Sequence, residues 1–298
     1  MENWEEYSKK MADSFEPDFE NAMNRAYSEW KIYGKCSEAE FYNKNLDEKD
    51  KFDDAFPHFF TGDTKSEFVM VQLNPKRNKD GKSEDNNCYH KKVNEIYYRG
   101  EPVTIDCYDN YKKYFSEFGN RQYIKDKEYT SFFDKKQLLF LKSFYELFGF
   151  KEGEENLREN LAASIDKKLQ LELVPFGSPD FSTNRILKNC DLSKTTERLL
   201  KFIASSERKY VIFCSRAFEK LLNEYNFIES QESEKFKLVK NDGTETKQKF
   251  EVIKIVLNVN GKKLNAVIAP QFALQSLSGN LRTQYGQKIK DAFKAMNK

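Results

Sequence analysis

The sequence predicts an α/β fold, with a short, mainly parallel central sheet, helices on both faces and a late β-hairpin. Three observations carry that prediction. Apolar runs of strand length recur at Phe68 to Leu73, Leu169 to Val174, Tyr210 to Phe213 and Leu264 to Ala269, each followed by a polar or proline-containing loop, which is the pattern of buried parallel strands. Helix-period segments separate them. Asn260-Gly261 stands between Phe250 to Val259 and Lys262 to Ile268, the strongest short-range signal for a two-residue hairpin loop.

Taken in order, residues 1–56 read as helical, with Trp4, Tyr7, Phe15, Phe19, Tyr27 and Trp30 set among acidic residues. They are expected to form a helical cap on a main domain spanning residues 57–298. Lys76 to Asn87 is a charged loop without periodicity, and Tyr89 to Thr130 is tyrosine-rich with no clear period. Lys136 to Phe148 places Leu138, Leu141, Tyr145 and Phe148 at three- and four-residue spacing and then meets Gly149, an amphipathic helix with a glycine stop. A Gly/Ser/Pro loop after the second strand leads into a helix from Ser182. Leu199, Leu200, Phe202 and Ile203 mark another helix, and Arg216 to Tyr225 reads as the helix after the third strand. No internal repeat or linker divides the main domain.

Composition bounds the function classes. At 298 residues, 33% charged and 15% aromatic, the chain reads as folded rather than disordered. Its net charge of +2 hides an asymmetry, since residues 1–60 carry 8 Lys and Arg against 15 Asp and Glu, and residues 240–298 carry 11 against 4. Lys76, Arg77, Lys79 and Lys82 add a basic cluster after Asn74-Pro75. Such a distribution suits a phosphate backbone, although lysines that merely solvate helix and hairpin surfaces give the same count. Glu2, Glu5 and Glu6 stand where a signal peptide would be basic and then apolar, and no apolar run is long enough for a bilayer. A cytoplasmic chain with no membrane partner is expected. The 5 cysteines are odd in number and widely spaced, which argues for reduced thiols over a disulfide framework. His58 and His90 lack a metal-binding spacing, and there is no Cys-x-x-Cys, Gly-x-Gly-x-x-Gly or Walker-type loop. Neither a metal nor a cofactor is expected.

The run Phe68-Val69-Met70-Val71-Gln72-Leu73-Asn74-Pro75 delivers Asn-Pro at a strand's carboxyl end, the edge at which α/β sheets meet ligands. Pro175-Phe176-Gly177-Ser178-Pro179, Cys214-Ser215-Arg216 and Pro270-Gln271-Phe272 follow the later strands. In that order these signals resemble the uracil-DNA glycosylase superfamily over residues 60–295. Asn74-Pro75 is similar to the Asn-Pro of its mismatch-specific and thymine-type branch. The resemblance implies a base-flipping hydrolase of the N-glycosidic bond, with DNA as partner and no obligate protein partner. It also implies that Asn74 holds water beneath C1′, with Gln72 and Pro75 beside the substrate. The departing base leaves a cationic sugar that needs little nucleophilic push, so a positioning amide suffices. A plain turn after a strand is the other reading of Asn74-Pro75, because both residues favour turns.

Glu172 stands where the resemblance puts a base-reading asparagine. An ionised carboxylate only accepts hydrogen bonds, which matches the N4 amine of cytosine better than the edge of uracil. A modified base is therefore expected as substrate, with a hypermodified cytosine of phage DNA as the fitting case and phage defence as the context. The competing reading leaves Glu172 in solvent at a strand edge. Pro270 to Ser278 corresponds to the family's groove-entering loop, but the histidine is absent, which leaves Gln271 to donate to the departing base. Phe272, Leu274 or Leu277 would be the wedge that offsets unstacking, with Ser276 and Arg282 also on DNA; a buried helix start explains the same apolar residues. Phe176 and Phe181 suit either stacking on a flipped base or core packing. Lys76, Arg77, Ser178, Ser215 and Arg216 are candidate DNA-backbone contacts, and the serines serve equally as helix caps. Two rivals remain: a non-catalytic nucleic-acid binding module on the same fold, and a small nucleoside hydrolase.

Overall fold

The computed structural model describes residues 3–11, 14–48, 50–52, 57–73, 89–92, 95–98, 101–103, 108–126, 128–178, 183–272 and 277–297. The elements in order begin with helices α1 (Trp4–Met11), α2 (Phe19–Tyr33) and α3 (Ser37–Asn43), then strands β1 (Phe60–Gly62), β2 (Phe68–Gln72), β3 (Tyr89–Lys92), β4 (Glu95–Tyr98) and β5 (Glu101–Val103). Next come α4 (Tyr108–Ser116), α5 (Phe118–Asn120), α6 (Phe132–Leu141), α7 (Tyr145–Phe148), α8 (Leu157–Asp166), β6 (Leu169–Glu172), α9 (Thr183–Asn189) and α10 (Ser193–Ala204). The chain ends with β7 (Tyr210–Phe213), α11 (Ala217–Glu224), β8 (Ile228–Phe236), β9 (Phe250–Val259), β10 (Lys262–Ile268) and α12 (Gly279–Met296). Contacts divide it into two units: one of Met1–Phe60, Leu73–Lys113 and Glu172–Phe202, the other of Thr61–Gln72, Tyr114–Leu171 and Ile203–Lys298.

In the first unit, α2 starts where Asp18 accepts a hydrogen bond from the Asn21 backbone at 2.8 Å and stops at Gly34, whose φ of 68° suits the left-handed cap. Its apolar residues Phe19, Ala22, Met23, Ala26, Tyr27 and Trp30 recur at helical spacing and are all buried. Strands β3, β4 and β5 form a small antiparallel sheet within Tyr89 to Thr130, a stretch without a clear period in its sequence. Their tyrosine- and charge-rich segments alternate too little to announce strands.

The second unit holds the main sheet, apart from the strand-end residues Phe60 and Glu172. Its order is β1-β6-β2-β7-β10-β9-β8. The fold is α/β, but the sheet is neither short nor mainly parallel: it has 7 strands, β7 runs parallel to β2 and β10, and β9 runs antiparallel to both β10 and β8. Two features account for the difference. The hairpin is not an appendage, because β10 pairs with β7 and so builds β9 into the sheet. Strand β8 (Ile-Glu-Ser-Gln-Glu-Ser-Glu-Lys-Phe) is exposed along nearly its whole length, so it lacks the apolar alternation by which strands are recognised. The hairpin turn forms where the sequence put it, with Asn260 and Gly261 at φ of 52° and 82°, as a type I′ loop requires.

One face of this sheet carries Phe68, Met70, Tyr210, Ile212 and Val267, packed against Phe140, Phe144 and Phe148 from the α6–α7 segment and Tyr285, Ile289 and Phe293 of α12. Strand period two meets helix period four, and each ring so buried contributes about 2–3 kcal/mol. Helix α12 lies close to α6: a Cβ on Gly286 would stand 2.4 Å from the Phe140 carbonyl oxygen. On the other face Phe213 meets Phe218 of α11 with ring centroids 5.0 Å apart. Among the described residues no helix is long and apolar enough to cross a membrane.

Candidate functional site

Strands β6 and β2 are neighbours, and the first unit holds the chain at their carboxyl ends. There the backbone of residues 58–59 runs beside 172–175: Glu172 N donates to Phe59 O at 3.1 Å and His58 N to Pro175 O at 2.7 Å. On the other side Val174 N donates to Leu73 O at 2.9 Å. The residue leading into Asn74 is thus tied next to the strand end that bears Glu172. Asn74, Pro75, Lys76, Arg77 and Phe181 themselves lie outside the described residues.

Glu172 is buried rather than lying in solvent, and with Thr195 and Arg198 it lines a gap between Phe19 and Phe59 that is too small for a water molecule. Arg198 is itself buried and held by a two-pronged pair with Glu38, Nη1 to Oε2 at 2.9 Å and Nη2 to Oε1 at 2.5 Å. Tyr42 donates to Glu38 Oε1 at 2.6 Å and meets Thr195 Oγ1 at 2.7 Å. Burial alone would raise the Glu38 carboxyl; the guanidinium overrides it and keeps the group ionised. Phe176 is fully buried with its ring 6.2 Å from that of Tyr42, and Ser178 is buried as well. As folded, the first is a core residue and not an open stacking platform, and the second is closed to a phosphate. His58 has its imidazole pushed down to about 4 by burial, against an upward pull from a Phe60 backbone hydrogen bond. It stays neutral near pH 7. Nothing in the sequence pointed to it, because its proximity to Glu172 arises only from strand-end pairing between distant segments.

The second unit holds the rest. Gln72 ends β2, and its Nε2 is buried without a hydrogen-bond partner among the described residues. Such an orphan costs about 1–3 kcal/mol, and it leaves an amide donor available two residues before Asn74. Gln271 is fixed by its oxygen, which accepts from Glu251 N at 3.1 Å and from the Tyr285 hydroxyl at 3.3 Å. Its Nε2, the donor end, has no partner among the described residues. Burial pushes the Tyr285 phenol up, so it remains a neutral donor, and it also donates to Glu251 O at 2.8 Å.

No family model, curated protein or solved structure matches this chain.

Arg216 is exposed and clasped between Glu219, at 3.0 Å, and Glu251. Ser215, just before α11, accepts from Ala217 N at 3.2 Å. Phe272 and Leu277 are 2% and 3% exposed within the core, and the Phe272 ring stands edge-on to Phe140 at 5.0 Å. Both side chains are packed in the core ahead of α12, which begins at Gly279, and neither is presented at the surface. Arg282 is 1% exposed and donates to Phe272 O at 2.7 Å and Leu277 O at 3.1 Å. Its guanidinium is thus buried and holds the backbone at Phe272 and Leu277; Leu274 and Ser276 lie outside the described residues. Among the described residues no group of three His, Cys, Asp or Glu could hold a metal. Glu251 is the functional candidate that sequence reasoning missed, since only the fold brings Arg216 and Gln271 to it. Chemically, the first unit provides a buried carboxylate acceptor at Glu172, and the second provides amide donors at Gln72 and Gln271 and a fixed cation at Arg216.

Proposed function

We propose that this chain is a DNA glycosylase that extrudes a modified base, with a hypermodified cytosine the best match, and hydrolyses its N-glycosidic bond to leave an abasic site. The observation that carries the reading is the Gln72 Nε2 at the carboxyl end of β2, buried and without a partner among the described residues. A buried donor left without an acceptor calls for an explanation, and a ligand carbonyl such as pyrimidine O2 is a direct one. Glu172, in the first unit, is by itself an acceptor suited to an amine such as N4. In the reaction Asn74 orients a water toward C1′, the C1′–N bond breaks with its electron pair leaving on the base, the water oxygen bonds C1′, and the water's proton passes to the base. Gln271 Nε2 is suited to donate to the departing base.

The test is an abasic-site assay on DNA containing uracil, thymine mismatches or modified cytosines, glucosylated hydroxymethylcytosine included, followed by alkaline cleavage. Cleavage by the intact protein is expected, with loss of about 100-fold or more in Asn74→Ala, the scale on which a positioned catalytic group acts. A comparable loss in Gln72→Ala is expected only on substrates that keep O2. Salt-sensitive DNA binding with no cleavage of any substrate would instead mark a non-catalytic binding module. The burial of Phe272 and Leu277 favours a second reading, a hydrolase of free nucleosides that needs no wedge; turnover of nucleosides without turnover of DNA would establish it.

A further inference from the structure

We propose that the β8–β9 hairpin is a rigid arm that tracks the phosphate backbone of duplex DNA beside the candidate loops, an inference that rests on DNA being the substrate. Strand register determines where the arm points. Ile253 pairs with both Ile268 and Ser233, Phe250 pairs with Phe236, and Ile268 pairs with Phe213. Strands β8 and β9 therefore overrun the carboxyl ends of β10 and β7 by three residues before the tip begins. That is the end of the sheet at which Ser215-Arg216 and Pro270-Gln271 emerge. Contact confirms the placement, since Glu251 in the overrun meets both Arg216 and Gln271.

The tip is preorganised and positive. Between Lys235 and Lys249 it carries Lys235, Lys237, Lys240, Lys247 and Lys249 against Asp242 and Glu245. Lys237 pairs with Glu245 at 2.8 Å, and Lys235 lies 4.0 Å from a Glu251 already held by Arg216. Lys240, Lys247 and Lys249 are exposed and have no ion pair among the described residues. The backbone beneath them is fixed. Val239 pairs with Glu245, Lys240 N donates to Thr244 O at 2.8 Å, and Leu238 is buried in the core. Gln284 of α12 grips Val239 from both sides, accepting from its N at 2.9 Å and donating to its O at 2.7 Å. Lysines that only solvate a hairpin do not need a tip stapled to a helix and a core leucine. A stapled tip holds its charges at fixed spacing, so a polyanion of fixed spacing binds without first ordering it.

The experiment measures the salt dependence of binding to a labelled DNA duplex by fluorescence anisotropy, for the intact chain, for Lys240→Gln/Lys247→Gln/Lys249→Gln, and for the matching triple Lys→Arg variant. Each lysine on a phosphate contributes about 0.9 to the slope of log K against log salt. The glutamine triple is expected to lose about 2 to 3 from that slope, and the arginine triple is expected to keep it. These positions are exposed, so thermal melting should be unchanged in both. A slope retained in the glutamine triple overturns the arm, as does a slope lost on duplex RNA but kept on duplex DNA. The glycosylase reading is judged separately by abasic product at low salt and saturating protein, where the glutamine triple keeps its activity and Asn74→Ala does not.

Discussion

The Arg198–Glu38 pair shows how far a buried charge commits its surroundings. Both side chains are nearly inaccessible, at 3% and 2%, and Tyr42, Thr195 and the Glu16 carbonyl complete their hydrogen bonding. Removing one partner leaves the other charge stranded at low dielectric, so Arg198→Met alone should cost about 3–5 kcal/mol by urea denaturation. Pairing it with Glu38→Leu should recover much of that loss. His58 sets a different dependence. Its folded pKa of about 4 lies below the ordinary 6.5, so the unfolded chain binds its proton first, and stability attributable to it falls as pH drops from about 6.5 toward 4. Asp166 opposes it, because burial raises its carboxyl to about 6 against the pull of hydrogen bonds from Gly119 and Asn120. Its stabilising share is complete at low pH and is lost as pH rises through 6. The difference between the intact chain and His58→Gln isolates the histidine: urea midpoints near neutral pH and near pH 5 should diverge, with a slope of at most about 1.4 kcal/mol per pH unit.

At the level of elements, close approach governs the α6–α12 contact. Gly286→Ala should cost about 1–3 kcal/mol in thermal melting, because its new Cβ would stand 2.4 Å from a backbone oxygen that cannot rotate aside. Strands whose inward residues are apolar were readable in the sequence: β2, β6, β7, β9 and β10 all form where apolar runs placed them. Gly149 stops α7 with φ of 61°, as its position after the periodic segment required. What stayed hidden was whatever depends on partners far along the chain. Strand β8 takes its place from pairing with β9 and not from burial of its own side chains. The approach of His58 to the Glu172 strand end, and of Glu251 to Arg216 and Gln271, follows from register, which periodicity does not report. The same reason separates Phe272 from a wedge: an apolar residue after a strand has one spelling whether it meets DNA or Phe140.

Across the whole molecule, the imbalance of charge has a structural counterpart. The acidic amino-terminal residues belong to the first unit and the basic carboxyl-terminal ones to the second. The two units are also braided in sequence: the chain passes from one to the other after residues 60, 72, 113, 171 and 202. Neither unit can therefore be finished during synthesis before the other is well advanced, since the first awaits residue 202 and the second its closing segment from residue 203. No single cut liberates either as a continuous fragment. Folding must close long loops before their contacts repay the entropy, which favours slow, late-committing assembly. A ribosome-bound chain stalled before β7 would hold β2 without the parallel neighbour that covers it, an unfinished apolar edge for chaperones to shield.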